Sequence, residues 1–171
     1  MRIVLVLDNI RSCYNVGAIL RTAEGFGVEK VVLSGYTPRI HDERLLPHLR
    51  EKLDHEIHKT ALGAEEMLEI IDSSDIKFDL EKYRQDGWRI VGLENNIKDE
   101  RLKKINEYRF SSDSKIVLAL GEEVEGIDRS LFDVFDLFLE IPMSGQKESF
   151  NVSVASGIAL FAIQYGMRDI I

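Results

Sequence analysis

Two short β-prone apolar runs, Ile3 to Leu7 and Val31 to Leu33, bracket a segment whose apolar residues recur at helical spacing. No other feature restricts the chain to so few folds. Neither run alternates with polar residues, which is the pattern of strands buried on both faces. Between them Val16, Ile19, Leu20, Ala23 and Phe26 mark one helix face, with Asn15 placed to cap it and Gly27 to end it. A strand–helix–strand unit of about thirty residues is a βαβ unit and implies a parallel sheet.

The remaining segments extend the pattern. Arg44 to His58 is charged, with a partial helical stripe of Leu45, Leu46, Leu49, Leu53 and Ile57. Ile76 to Gln85 reads as a short amphipathic helix, Trp88 to Leu93 as a strand, and Lys98 to Tyr108 as a charged surface segment. Lys115 to Leu120 is a further strand, Ile127 to Phe135 a short helix begun near Asp128, and Leu137 to Ile141 the last strand. Pro142 stops that strand, having no N–H for the ladder. Ser149 and Asn151 both suit a helix start, and the helix that follows carries no charge from Val152 until Arg168 is reached. A helix so apolar all round belongs against the core or a partner subunit. The expectation is one α/β domain over residues 1–171, a mostly parallel sheet flanked by helices.

Composition narrows the function. The net charge of −8 argues against a broad, sequence-blind grip on nucleic acid. The charge is uneven: residues 1–60 hold 9 basic and 8 acidic side chains, against 12 and 21 in residues 61–150, so a basic face is confined to the amino-terminal third. The single cysteine, Cys13, rules out an internal disulfide and fits a reducing cytoplasm. No apolar run reaches the length of a membrane span, and the first residues lack the features of a secretory leader.

Several familiar sites fail on their residues. Gly121 and Gly126 have Walker-like separation, but Ile127-Asp128 stands where Lys and Ser or Thr would meet phosphate. Gly25-Phe26-Gly27 lies at a helix end, not between strand and helix. His55 and His58 have no third ligand at zinc-site spacing, so no metal is expected, and Cys13 has no histidine nearby in sequence. Glu122, Glu123, Glu125 and Asp128 repel one another unless at least one meets an N–H or a basic partner. What remains is three loops, Asn9 to Asn15, Gly121 to Gly126 and Pro142 to Asn151, each at the carboxyl end of a strand, where open α/β sheets bind ligands. Their amides, hydroxyls and apolar neighbours suit a mixed ligand such as an adenosine derivative.

Three motifs within these loops resemble the SpoU/TrmH group of SPOUT RNA 2′-O-ribose methyltransferases, in the family's order and across essentially the whole chain. They are Asn15 to Ala23, Leu120 to Ile127, and Ile141-Pro142-Met143-Ser144-Gly145 with Ser149 to Ala155. The resemblance implies a carboxyl-terminal trefoil knot, an exception to the rule against threaded chains. It also implies S-adenosylmethionine as cofactor, an RNA substrate (tRNA or rRNA), and an active site shared across a homodimer. By motif matching the catalytic positions are Asn15, Arg21, Glu123, Ser149 and Asn151. The cofactor positions are Leu120, Gly121, Glu122, Gly126, Ile141, Met143, Ser149 and Phe150. Arg21 is read here as positioning phosphate and 2′-OH, because a guanidinium has no lone pair to offer as a base.

Two residues depart from the family pattern. Phe150 stands where Leu is usual, and Val124 replaces a frequent Gly or polar residue. No separate RNA-binding extension is apparent at either end, which leaves RNA recognition to Arg11, Arg21, Arg39, Arg44 and Arg50, or to a partner protein. Two other classes stay open: a non-catalytic RNA- or nucleotide-binding module retaining the fold, and a methyltransferase acting on something other than RNA.

Overall fold

The computed structural model describes residues 1–166. Its order is β1 (Arg2–Asp8), α1 (Cys13–Gly25), β2 (Lys30–Ser34), α2 (Pro47–Ala61), β3 (Glu69–Asp72), α3 (Ile76–Gln85), β4 (Arg89–Leu93), β5 (Leu102–Lys104), β6 (Lys115–Leu120), β7 (Leu137–Glu140) and α4 (Val152–Tyr165), with short 3-10 turns at Ala64–Glu66 and Arg129–Val134. Seven strands form one sheet in the order β3-β2-β1-β6-β4-β7-β5, and every pairing is parallel.

The alternation of side chains along the central strands divides the core into two layers. Ile3, Leu5 and Leu7 of β1 pack with Val16, Ile19, Leu20 and Ala23 of α1, Ile57 and Ala61 of α2, and Ala159, Leu160 and Ile163 of α4. Val4 and Val6 face the other way, with Leu80 of α3, Trp88, Leu131, Val134 and Phe138. Phe138 is fully buried, and Phe132 and Phe135 sit with ring centroids 4.7 and 5.0 Å from it. Burying such a ring contributes about 2–3 kcal/mol. Gly17 allows α1 to meet α2 closely, since a Cβ there would collide with the Ile57 carbonyl and the Thr60 hydroxyl.

Some expectations need correction. Asn15 does not cap α1; the Ser12 hydroxyl oxygen accepts the Asn15 N–H at 3.3 Å, and Asn15 stands inside the first turn with its side chain turned to residues outside the helix. Two strands escaped the sequence pattern because they lie at the sheet edges and bury little: β3 and, inside the charged segment 98–108, β5. The segment after Asp128 is a 3-10 turn, with Asp128 accepting the Ser130 N–H as its cap. Asn151 caps α4 by accepting the Ser153 N–H at 2.9 Å, whereas Ser149 lies outside the helix. The helix expected to reach Arg168 is described to Tyr165, and its last expected residues lie outside the described ones.

Strand order reverses between β1 and β6. From β1 the chain steps outward through β2 to β3; its later strands fill the other side. A crevice outside the carboxyl ends of the strands at such a reversal is where open α/β sheets place ligands.

Candidate active site

A cleft of about 270 Å³ opens at those carboxyl ends. Leu93, Glu94, Asn95 and Asn96 line it from the end of β4, Leu120 to Val124 and Gly126 from the end of β6, and Ile141 with Glu148 to Val152 from the end of β7.

The wall after β6 is a closed hairpin. Glu122 and Gly126 exchange both backbone hydrogen bonds at 3.0 Å, and Gly126 has φ +73°, a conformation that strains any other residue. A Cβ on Gly121 would land inside the backbone of Gly126, so only glycine lets the hairpin close this tightly. Glu94 props it from beneath: its Oε2 accepts the Ile127 N–H at 2.8 Å, and its carboxylate occupies the space a Gly126 side chain would need. Burial pushes the Glu94 carboxyl up from its ordinary value, while backbone N–H groups of Ile127 and Asn95 oppose the rise.

The tip of the hairpin is tied to α1. Asn15 donates from Nδ2 to Glu123 Oε1 at 3.1 Å, the Arg11 backbone N–H donates to Glu123 Oε2 at 3.3 Å, and the Arg11 guanidinium pairs with Glu122. The clustered carboxylates thus do meet N–H and basic partners. Asn15 in turn accepts at Oδ1 from Asn151 Nδ2 at 3.2 Å. One run of hydrogen bonds, Glu123–Asn15–Asn151, joins residues from all three sequence motifs. Because Asn15 donates at one end and accepts at the other, both amides have a fixed orientation.

The wall after β7 is held differently. Asn95 accepts the Ile141 N–H at 3.1 Å and donates to the carbonyls of Ile141 and Glu148 at 3.0 and 3.2 Å, and Asn96 donates to Glu148 at 3.4 Å. Residues 144–151 are otherwise exposed.

The chain belongs to the SpoU rRNA methylase family. The family model matches residues 2–161. A 23S rRNA (guanosine-2′-O-)-methyltransferase RlmB of Pseudomonas putida is 31% identical over 159 residues, covering 93% of this chain and 57% of that protein. Among solved structures, the AdoMet-bound rRNA methyltransferase of Sinorhizobium meliloti superposes with a TM-score of 0.75 at 22% identity, over 94% of this chain and 55% of that one. A TrmH/SpoU tRNA modifying enzyme of A. aeolicus gives 0.75 at 23%, over 95% and 73%. This chain spans under two thirds of the length of the curated relatives named first among its matches.

Within this SpoU fold the motif residues fall as follows. Leu120, Gly121, Glu122, Glu123, Gly126, Ile141, Ser149, Phe150 and Asn151 all line the cleft, and Asn15 reaches it through Glu123 and Asn151. Met143 does not line it. Val124 is 77% exposed at the hairpin tip, so its substitution leaves the turn intact. Arg21 is not brought to this cleft. Six residues beyond Asn15 at ~100° per residue, it leaves α1 ~120° away from Asn15, exposed and without an ion pair among the described residues. Of the arginines expected to meet RNA, Arg39 turns inward to the carbonyls of Gly35 and Thr37 and to Asp72. Arg44 is exposed but chelated by Asp42, Arg50 is half-buried, and Arg11 stands at the rim.

Glu94, Asn95 and Asn96 were not singled out from sequence. The rule that selected the other loops applied to them too, since they form a polar run directly after a buried strand. Burial holds the Cys13 thiol protonated, its pKa pushed up, which suits a bystander. Among the described residues no group of three or more His, Cys, Asp or Glu is placed to hold a metal, and no helix is long and apolar enough to cross a membrane.

Proposed function

We propose that the chain transfers the methyl group of S-adenosylmethionine to a ribose 2′-hydroxyl of RNA, as a homodimer whose clefts each draw on both subunits. The observation that carries this reading is the hydrogen-bonded run Glu123–Asn15–Asn151, which gathers the three motif loops around one cleft. The RlmB relative of Pseudomonas putida is named for methylation of a guanosine 2′-oxygen in 23S rRNA, and the A. aeolicus structure for modification of tRNA. The proposal therefore names RNA without choosing between them.

The cleft suits the cofactor. Leu93, Leu120, Ile141, Val152 and Ala155 offer an apolar lining, and the glycine backbone of the hairpin allows close approach. Its lining residues include Glu94, Glu122, Glu123 and Glu148 and no Lys, Arg or His, an electrostatic match for a cation. When bound, S-adenosylmethionine supplies an electrophilic methyl group on a positively charged sulfur. The protein's part is to bring a hydroxyl to that methyl in line and keep it there, and such positioning is worth several kcal/mol of barrier. Asn151 and Ser149 line the cleft and in this reading receive the substrate hydroxyl, and Asn15 fixes the orientation of the Asn151 amide. Arg21, whose guanidinium has no lone pair to act as a base, grips the phosphate beside the target ribose. The uncharged α4 that follows segment 141–151 is the element this reading assigns to the family's trefoil knot.

The dimer follows from two exposed features. Val154, Phe161 and Tyr165 of the uncharged α4 are each at least half exposed, and Phe161 meets Phe26, at the end of α1, edge-on at 6.5 Å while Tyr165 lies tilted to it at 6.1 Å. A contiguous apolar face of this kind is covered by a second copy. Arg21, pointing away from its own cleft, then serves the partner's.

Calorimetry with S-adenosylmethionine comes first, then methyl transfer into total RNA with the modified nucleoside identified. Saturable binding and a 2′-O-methylnucleoside are expected; absence of cofactor binding would sink the proposal. Mixing Arg21→Ala with Asn151→Ala subunits tests the shared site. Random exchange in a two-fold dimer restores roughly a quarter of wild-type activity, whereas a site complete within one subunit restores none.

A further inference from the structure

Beside the cleft, outside its lining, a second aromatic feature stands at the ends of β1 and β2. Tyr36 is 51% exposed, although hydrogen bonds hold its backbone and that of the next residue. The Tyr36 N–H donates to Asn9 Oδ1 at 3.2 Å. Next to it the Thr37 hydroxyl accepts the Ile10 N–H at 3.1 Å and donates to the Leu7 carbonyl at 2.9 Å. Asn9 and Gly35 both adopt positive φ, +59°, and a Cβ on Gly35 would strike the Asn9 amide. A non-glycine residue held in that region costs about 1 kcal/mol or more and persists only when its surroundings impose it. Here the surroundings hold an aromatic ring out into solvent.

Arg11 connects that ring to the cleft. Its guanidinium lies over Tyr36, 5.9 Å from the ring centroid, and pairs with Glu122 of the cleft wall. Tyr36 is therefore one arginine side chain away from the rim. Glu122 already answers the charge of Arg11, so phosphate would have to compete with a carboxylate for it. What Arg11 still offers is its flat face, which together with the ring makes a π platform.

We propose that Tyr36 and Arg11 form a stacking site for an unpaired base of the RNA substrate, next to the nucleotide whose ribose enters the cleft; this rests on the RNA methyltransferase reading above. Single-stranded RNA is recognised by stacking splayed bases on aromatic rings and guanidinium planes. Such contacts suit a chain of net charge −8, which cannot rely on phosphate attraction alone.

The test compares wild type, Tyr36→Phe and Tyr36→Ala in methyl transfer to total cellular RNA, with filter binding of the same RNA, calorimetry with S-adenosylmethionine and thermal melting as companions. Removing the ring should raise KM and Kd for RNA about tenfold, leaving kcat, cofactor affinity and melting temperature unchanged. Tyr36→Phe, which keeps the ring, should stay within about twofold of wild type. RNA affinity unchanged in Tyr36→Ala overturns the stacking site. So does an equal loss in Tyr36→Phe, which would assign the effect to the hydroxyl. If wild type transfers no methyl, the methyltransferase reading fails, and the filter-binding ratio still decides the platform.

Discussion

The two walls of the cleft are built on different terms. The 121–126 hairpin is closed on itself, propped by Glu94 and tied to α1 through Glu123 and Asn15, so each of its constraints supports another. The facing segment, 142–150, has no regular structure and is suspended by Asn95 and Asn96, chiefly through the Glu148 carbonyl. A preorganised wall fixes ligand orientation without an ordering cost at binding. A wall held by few bonds leaves its side of the cleft easier to displace. The contrast assigns geometry to one side of the cleft and access to the other.

The strongest attack on that contrast is Gly121→Ala. The added methyl collides with backbone rather than with a side chain that can swing away. It should cost about 1–3 kcal/mol, as overpacking does, and reduce S-adenosylmethionine affinity at least about a hundredfold, or 2.8 kcal/mol. Melting curves and calorimetry measure both. Cofactor affinity near wild type would mean that the hairpin is less rigid than its bonds imply.

Asn95→Ala attacks the other wall. Its amide makes three hydrogen bonds to the segment after β7. Water takes over much of each bond in this partly solvated setting, so the three together are worth about 1 kcal/mol net, and the core beneath is untouched. Cofactor affinity should fall about tenfold with a smaller loss of melting temperature than in Gly121→Ala. If stability suffers as much as in Gly121→Ala, segment 142–150 is structural and the contrast fails.

The contrast also explains what the sequence disclosed. The central strands were legible because both faces are buried, which leaves unbroken apolar runs such as Ile3 to Leu7 and Ile116 to Leu120. Strands β3 and β5 were not, because an edge strand needs hydrogen bonds from one neighbour and few buried side chains; Lys103 and Lys104 read as surface. Family resemblance carried Asn15, Glu123, Ser149 and Asn151, but the physical role of Asn15 was misjudged from sequence. Ser12 and Asn15 are both able caps, and only the backbone shows which one stands before the first turn. Arg21 shares a motif with Asn15, yet helical geometry separates their directions, a fact that spacing alone contained and that motif matching passed over.

Asn151 belongs to both walls, so two substitutions there separate its duties. Asn151→Ala removes the α4 cap and the bond to Asn15, which should cost about 1 kcal/mol together with activity. Asn151→Asp keeps an oxygen for the Ser153 N–H but has no donor for Asn15. Its melting temperature should match wild type while methyl transfer falls as far as in the alanine variant. Equal stability loss in both would mean that the amide bond to Asn15, rather than capping, holds α4 in place.

The smallest effect tests the prop beneath the rigid wall. Burial raises the Glu94 carboxyl above its ordinary value of 4.5, so the folded protein keeps a proton there that the unfolded chain releases. Ionised Glu94 therefore costs stability at neutral pH. The cost fades as pH falls through the raised value, and it is gone below the ordinary one. Glu94→Gln removes the charge and retains an oxygen for the Ile127 N–H. Its melting temperature at pH 7.5 should exceed that of wild type by about a degree, with the gap closing as pH falls towards 4.5. The carboxylate also faces the cleft, so the same variant should bind S-adenosylmethionine more weakly at neutral pH despite being more stable. A variant less stable than wild type at pH 7.5 would mean that the charge itself, through the backbone N–H groups it accepts, holds the hairpin closed.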